Sequence, residues 1–322
     1  MTPNVEILLA TYKPDLRFLK IQLESLNQQD YPNLFLSVRD DSADFNSFTL
    51  IKEMLETTIT RIPYSLQCNE TNIGSSRTFM KLTEDSSGDW LAYCDQDDDW
   101  IVTKISRLIA IAEKEKAVLI YSDLSIIDQN GIQIHTSFKS MNPRLKHVYG
   151  ENKFSFFLRR NSVTGCTMLV SKEIARQALP FEIDHYVHDH WLALYASSKG
   201  RIAYSPEPLV RYRIHGNNQI GNSILRGILN THDYVEIRLK KEIDMYRSLL
   251  LKNRFGMREN LIIEHKLQWA TKRDKFMRTR KLSTLIAEVS ALRDDPQLVF
   301  FEMVLALAPK HVSETILRRM QK

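Results

Sequence analysis

Between residues 5 and 122, apolar segments of strand length alternate with segments of helical period. The strand signals fall at residues 5–9, 34–38, 62–66, 90–94 and 117–122. Between them, Leu16, Leu19, Leu23 and Leu26 lie on one helical stripe, and further helical patterns cover residues 47–56, 75–82 and 101–114. Strands alternating with helices predict an α/β fold, a mostly parallel sheet with helices on both faces. Ligands on such sheets bind beyond the carboxyl ends of the strands. Thr11 and Tyr12 follow the first strand, Asp40 and Asp41 the second, Asn72 the third, and an acidic run the fourth.

That run is Cys94-Asp95-Gln96-Asp97-Asp98-Asp99-Trp100. In an extended chain Asp95 and Asp97 share a face. Like charges so close repel and raise each other's pKa unless a cation lies between them. A hard divalent ion with oxygen ligands resolves the conflict and also bridges phosphates. The residues alone equally allow a solvated acidic turn.

Composition narrows the classes. The chain has 322 residues, 43% hydrophobic and 26% charged, ordinary for a globular protein. Its three cysteines, Cys68, Cys94 and Cys166, are scattered, without zinc-ligand spacing. A reducing cytoplasm is the expected location. Residues 5–9 enter a strand directly, so no signal peptide is expected. No stretch reaches the roughly 20 apolar residues of a membrane span. Residues 220–322 carry 20 Lys/Arg against 12 Asp/Glu, a net +8, while residues 1–219 carry a net −3. Two parts are expected, a catalytic domain over 1–219 and a basic helical region over 220–322.

Five motifs, Ala10-Thr11-Tyr12, Arg39-Asp40-Asp41-Ser42, Asn72-Ile73-Gly74, Asp95-Gln96-Asp97-Asp98, and the late pair His188-Asp189-His190-Trp191 with Tyr212-Arg213-Ile214-His215-Gly216-Asn217-Asn218, occur in the order of the bacterial family 2 glycosyltransferases of GT-A fold. The chain resembles that family over residues 5 to about 221, and its late motifs resemble the rhamnosyltransferase branch. The resemblance implies that Thr11 and Tyr12 line the nucleotide base, and that Asp41 accepts a hydrogen bond from it. It implies that Asn72, Gly74 and Arg77 approach the donor and that Asp95 faces the ribose or donor sugar. Asp97 and His215 resemble metal ligands for Mn²⁺ or Mg²⁺. Asp189 resembles the general base of an inverting transfer, with His188, His190 and Trp191 on the acceptor side and the two histidines as alternative bases. From the residues alone, Asp189 also reads as a cap for a helix starting at His190, a role compatible with catalysis. The chain departs from the family at Lys13-Pro14, where asparagine or glycine is usual, and at Asp41-Ser42-Ala43-Asp44, which lacks the common glycine.

The implied reaction moves a sugar from a nucleoside diphosphate, dTDP-L-rhamnose before a UDP-hexose, to a lipid-linked saccharide in cell-surface polysaccharide assembly. A sugar nucleotidyltransferase would need a glycine-rich loop after the first strand, and a dehydrogenase GxGxxG; neither motif is present. A nucleic-acid-binding module built on the basic tail is the non-enzymatic alternative, disfavoured by the few aromatics among its cations, so no nucleic acid partner is expected. Residues 261–292 predict a long amphipathic helix. Between His265 and Lys281 it carries seven Lys/Arg against Asp274, interleaved with Leu267, Trp269, Phe276, Met277 and, just beyond, Leu282. Such a helix lies on an anionic membrane, placing the enzyme peripherally on the inner face of the cell membrane, or packs on the catalytic domain or a second subunit of a homo-oligomer.

Overall fold

The computed structural model describes residues 2–142, 145–216, 227–281 and 295–320. The chain divides into two compact units, Met1–Gly216 and Asn217–Lys322. The expected boundary at residue 219 falls outside the described residues.

The first unit is built on strands β1 (Val5–Thr11), β2 (Leu34–Asp40), β3 (Tyr64–Cys68), β4 (Trp90–Cys94), β5 (Asp99–Trp100), β6 (Ala117–Ile127), β7 (Gln133–His135), β8 (Met168–Ser171) and β9 (Arg201–Arg213). Its helices are α1 (Leu16–Asn27), α2 (Phe45–Thr58), α3 (Ser75–Asp85), α4 (Lys104–Glu115), α5 (Phe138–Met141), α6 (Phe154–Phe157), α7 (Lys172–Gln177) and α8 (His188–Lys199). The sheet runs in the order β3-β2-β1-β4-β8-β6-β9-β5, with β7 paired to β6. The four strands β3, β2, β1 and β4 are parallel. β8 is antiparallel to both β4 and β6.

Val5, Ile7, Leu8 and Leu9 of β1 are fully buried, as a parallel strand covered on both faces requires. Glu6 breaks that apolar run. Its carboxylate accepts the N–H groups of Ser87 (2.7 Å) and Gly88 (2.9 Å) and the Ser37 hydroxyl (2.6 Å), so the acid ties the turn before β4 to the sheet. Asp15 and Asp44 cap α1 and α2 through their side chains, which supplies acceptors for otherwise unpaired N–H groups. The chain leaves β1 toward β2 on one side and returns as β4 on the other. The crevice beyond this reversal is the ligand position on such sheets.

Gly165–Thr167 forms a 3₁₀ turn just ahead of β8, and the Gly165 N–H is used elsewhere. β9 runs as one strand from Arg201 to Arg213. It pairs with β6 in parallel, and the register jumps from Ser122↔Ser205 to Asp123↔Pro208. Pro206 and Pro208 cannot donate to a ladder, so the strand bulges there.

The second unit is helical. Its main helices are Lys240–Lys252, Met257–Thr279, Pro296–Leu307 and Lys310–Arg319. Tyr234, Leu239, Phe276, Met277, Leu305 and Leu317 form its core. The expected amphipathic helix is Met257–Thr279, ended by Arg280 at φ 54°; Leu282 and the rest of the expected span to 292 lie outside the described residues. Trp269, Phe276 and Met277 are buried within the unit, as are Lys266 and Arg273. The apolar side assigned to a membrane is therefore used in folding. Among the described residues, no helix is long and apolar enough to cross a membrane.

Candidate active site

The carboxyl ends of β1, β2 and β4 place three motifs side by side. Thr11, Asp40 and Asp41 are buried. The Thr11 hydroxyl donates to Asp40 Oδ1 at 3.1 Å, and the Asp41 N–H donates to the Thr11 carbonyl at 2.8 Å. Thr11 thus shapes the end of the strand instead of presenting its side chain outward. Tyr12 is half-exposed. Its backbone is clamped on both sides by Gln96, whose Oε1 accepts the Tyr12 N–H at 2.8 Å and whose Nε2 donates to the Tyr12 carbonyl at 3.3 Å. Gln96 therefore couples the first motif to the acidic run.

Asp41 spends its carboxylate on the third motif. It accepts the Ile73 N–H (2.9 Å), the Gly74 N–H (2.8 Å) and the Asn69 side-chain amide (2.8 Å). An ionised carboxylate has about four acceptor sites, so room remains for one further donor. Gly74 stands at φ +83°, where no side chain is tolerated easily, although a Cβ there would meet open space. Asn72 and Arg77 are exposed at the rim, Arg77 in the first turn of α3.

The acidic run divides by burial. Asp98 is fully buried, and Asp97 is partly exposed. Asp97 Oδ2 lies 2.7 Å from His215 Nε2. Asp98 Oδ1 accepts the Arg213 N–H at 3.2 Å, while its Oδ2 is buried without a hydrogen-bond partner. Burial, reinforced by Asp97 and Asp95, drives the Asp98 carboxyl well above the usual range. Asp95 is pushed up to about 7 by burial first and by the charges of Asp97 and Asp189 next. Asp95, Asp98 and Cys166 bring ligand atoms within 4.8 Å of one another. Beneath them Lys104 is fully buried, donates to the Cys166 carbonyl at 2.6 Å, and lies over the Trp100 ring. Burial lowers Lys104 to about 7.

Two arginines at the end of β9 contact the acidic run. Arg213 is buried and donates to the backbone carbonyls of Asp97 (2.9 Å) and Asp128 (3.2 Å). Arg211 pairs with Asp99 at 2.7 Å. Both therefore brace the acidic run. Asn217 and Asn218 lie outside the described residues.

Asp189 stands in the first turn of α8, not at its cap, because the helix begins at His188. Its Oδ2 accepts the Gly165 N–H at 3.1 Å, and its Oδ1 accepts from the Asn161 side chain at 3.2 Å and from the His190 N–H. Burial pushes its carboxyl up to about 6 against these hydrogen bonds. Gly165 is required by close approach, since a Cβ there would lie 2.9 Å from His188 Nε2.

The residues expected on the acceptor side, His188, His190 and Trp191, each contact groups of the protein. His188 stacks 4.2 Å from Phe79 and 5.8 Å from Tyr93, and burial lowers its pKa to about 3. His190 Nε2 lies 2.6 Å from the Phe157 carbonyl, and burial lowers it to about 4. Trp191 is fully buried, with its indole N–H on the Ala178 carbonyl at 2.8 Å. Helix α8 is buried from Trp191 to Ser197, so the Trp191 ring is core and the expectation of an acceptor wall there is corrected, while His188 and His190 are partly exposed. The sequence reading missed Asn161, Gly165, Gln96 and Lys104. Asn161 and Gly165 precede a strand in a stretch without periodicity, and Lys104 sits in an otherwise ordinary amphipathic helix.

No family model matches the chain. It is 24% identical over 227 residues to the dTDP-rhamnosyl transferase RfbG of Shigella flexneri, covering 67% of this chain and 74% of that protein. It is 27% identical over 128 residues to WfgD of Escherichia coli, a UDP-Glc:α-D-GlcNAc-diphosphoundecaprenol β-1,3-glucosyltransferase, covering 40% of this chain and 48% of that one. Among solved structures it resembles the mannosyltransferase PcManGT of Pyrobaculum calidifontis, in complex with GDP-Man and Mn²⁺, with TM-score 0.55 and 14% identity over 100% of this chain and 84% of that chain. The chain is a glycosyltransferase with the GT-A fold. TarS of S. aureus, residues 1–349, is also similar, with TM-score 0.54 and 14% identity over 99% of this chain and 88% of that chain. The mostly parallel sheet and the helical region after it are what this glycosyltransferase shares with both.

Proposed function

We propose that this glycosyltransferase is inverting and metal-dependent, taking L-rhamnose from dTDP-L-rhamnose and delivering it to a lipid-linked saccharide during cell-surface polysaccharide assembly. One observation carries the reading. Asp189, held by Gly165 and Asn161, raises the pKa of Asp95 in the acidic run through its charge, which supports reading the two as an acceptor-side base and a donor-side pole. In this reading Asp189 takes the proton from the acceptor hydroxyl as that oxygen attacks the anomeric carbon opposite the departing phosphate. No second carboxylate is needed as a nucleophile.

The residues fit a hard divalent cation. Carboxylate and imidazole donors suit Mn²⁺ and Mg²⁺, and Asp97 Oδ2 and His215 Nε2 stand 2.7 Å apart. Asp97 and His215 would hold the ion. The trio Asp95, Asp98 and Cys166 suits it less, because burial raises the pKa of Asp98 and Cys166, whereas ligands must be deprotonated. When bound, such an ion supplies Lewis-acid stabilisation of charge on a departing diphosphate. The chain's own residues set the stage for it: Arg213 and Arg211 fix the run, and Gln96 fixes Tyr12 against it.

The relationship to RfbG supports dTDP-L-rhamnose, and the relationship to WfgD supports a UDP-hexose as the second reading and a diphospholipid-linked acceptor in either. Incubating the enzyme with Mn²⁺, each donor and a short-chain sugar diphospholipid, and detecting product by mass spectrometry, tests the proposal. Addition of a deoxyhexose is expected. Transfer of a hexose alone would replace the donor, and donor-independent product formation would overturn the proposal.

A further inference from the structure

Aromatic rings gather where β6 and β9 run side by side. Tyr121 and Tyr204 are partners in register on these strands, with ring centres 5.0 Å apart. His147 stacks on Tyr204 at 4.3 Å with planes 17° apart, and Tyr149 at 5.6 Å with planes 23° apart. Tyr121 is fully buried, so packing accounts for the inner ring. Packing does not account for the outer one, because Tyr149 is 51% exposed. The outer ring nevertheless stands on a fixed frame. Gly150 and Ile202 exchange both backbone hydrogen bonds, at 2.6 and 3.2 Å. The Val148 carbonyl accepts the Tyr121 hydroxyl at 3.2 Å, and the Val148 N–H donates to Ser162 Oγ at 3.3 Å. A ring held in place before binding loses little freedom when a ligand stacks on it.

Polar groups border the stack. Buried Asp123 takes the N–H groups of Leu124 (2.8 Å) and Phe138 (3.1 Å) on Oδ1. His147 Nε2 lies 3.7 Å from that oxygen, outside hydrogen-bond reach. Both ring nitrogens of His147 are buried without a hydrogen-bond partner among the described residues, which a histidine with a purely structural role avoids. Aromatic faces beside a few convergent polar groups are the composition of a small-molecule site. A sugar matches it, with C–H bonds on its ring faces and hydroxyls around its edge.

Register places the stack relative to the acidic run. Ala92 of β4 and Ile120 of β6 both pair with Leu169 of β8, so they stand level in the sheet. Asp95 and Asp123 each follow by three residues, two strand spacings apart, about 10 Å. Ser162 Oγ lies 3.3 Å from the Tyr121 hydroxyl, and the neighbouring Asn161 side chain holds Asp189 Oδ1 at 3.2 Å. β4 and β8 separate the stack from β1 and β2, whose ends carry the first two motifs. The rings therefore flank Asp189 on the side away from those motifs.

We propose that Tyr149, backed by Tyr204 and His147 and edged by Asp123, is a platform for one sugar of the acceptor, the neighbour of the sugar whose hydroxyl reacts. The inference rests on the reading of Asp189 as the acceptor-side base, and it makes the acceptor at least a disaccharide.

Saturation-transfer NMR with methyl α-D-N-acetylglucosaminide and methyl α-L-rhamnoside, each at millimolar concentration, tests it without requiring turnover. The wild type is expected to saturate the ring protons of at least one glycoside, and Tyr149→Ala to lose about tenfold in affinity. Tyr149→Phe keeps the ring and should retain binding. Excess dTDP should leave the signal unchanged. Tyr149 is half-exposed, so the alanine variant should melt with wild type. In transfer assays Tyr149→Ala should raise KM for a disaccharide diphospholipid about tenfold, with KM for the donor unchanged. No saturation of either glycoside, equal binding by Tyr149→Ala, or displacement by dTDP would each overturn the proposal. Glycoside binding that Tyr149→Ala abolishes, without transfer from any donor, would sink the catalytic reading and leave the sugar platform standing. Transfer with an unchanged acceptor KM in Tyr149→Ala would do the reverse.

Discussion

His215 Nε2 lies 2.7 Å from Asp97 Oδ2, bringing together residues 118 positions apart in sequence. The contact joins the end of β9 to the loop after β4, and Arg213 secures the same loop from two residues away. An imidazole so placed either orients the carboxylate or shares a cation with it. Asp97→Ala is expected to abolish turnover. His215→Ala should raise the Mn²⁺ concentration for half-maximal activity by about 10–100-fold, the usual cost of losing a residue that ligates or orients at a metal. Metal titrations of transfer and of Mn²⁺–nucleotide binding check both. Full activity in excess chelator would remove the metal from the reading.

Asp189 predicts a pH profile. A general base acts only when unprotonated, and burial holds this carboxyl near 6. Below that pH the proton occupies the site, so kcat/KM should rise with pH through about 6 and then level. Asp189→Asn is close to isosteric and should leave donor affinity nearly intact while turnover falls about 10²-fold or more. It should also erase the acidic limb. A retained limb with normal turnover would place the base elsewhere.

Gly165 should behave as a positioning residue. A methyl group there would sit 2.9 Å from His188 Nε2 and 3.6 Å from Asp189 Cβ, so either the ring or the turn must move. Because the same glycine's N–H holds Asp189 Oδ2, Gly165→Ala is expected to cost about tenfold or more in kcat, with KM for the donor little changed. Restored donor affinity without restored kcat separates this from unfolding.

The parallel half of the sheet was legible in the sequence because its strands are buried on both faces and its helices carry single apolar stripes. Residues 16–26, 34–38 and 90–94 announced themselves by period alone. The polar residues at the strand ends were legible by position, yet their partners were not. Asp41 reads as a ligand-facing acceptor, and the fold spends three of its hydrogen bonds on Asn69, Ile73 and Gly74. Arg213 reads only as part of a late motif, and the fold turns it onto the backbone of the acidic run. Trp191 reads as a sugar wall, and it is core. Periodicity reports which side of an element is buried, but α8 is buried all round from Trp191 to Ser197, so its sequence carries no inward stripe to separate site from core.

The family departures at residues 13 and 43 have a structural cost. Lys13 and Ala43 adopt φ 41° and 51°, in the left-handed region that disfavours side chains with a Cβ. Glycine there removes that strain but loses more freedom on folding. Ala43→Gly should therefore stabilise the protein by only about 0.5–1 kcal/mol, seen as a small rise in thermal midpoint with activity unchanged. A fall in midpoint would show that the turn is not strained.

Arg273 gives the largest predicted loss of stability. It is buried at the centre of the C-terminal unit, with Nε and Nη2 on Glu302 at 2.8 and 2.6 Å and Nη1 on Glu242 at 3.1 Å. Tyr234 and Tyr246 donate to the same two carboxylates at 2.7 and 3.0 Å, and the guanidinium lies 4.6 Å from the Trp269 ring centre. Arg273 bridges two buried carboxylates, so removing it takes their shared cation from both. Arg273→Ala is expected to destabilise the unit by about 3–5 kcal/mol. Arg273→Lys should recover only part, because a point charge cannot match the forked contact to Glu302. Replacing all three charged residues with apolar ones of similar volume should cost far less than the single change, since burying an ion pair costs desolvation that apolar packing avoids. Urea unfolding followed by circular dichroism orders these variants. If Arg273→Ala unfolds within about 1 kcal/mol of wild type, the network contributes little.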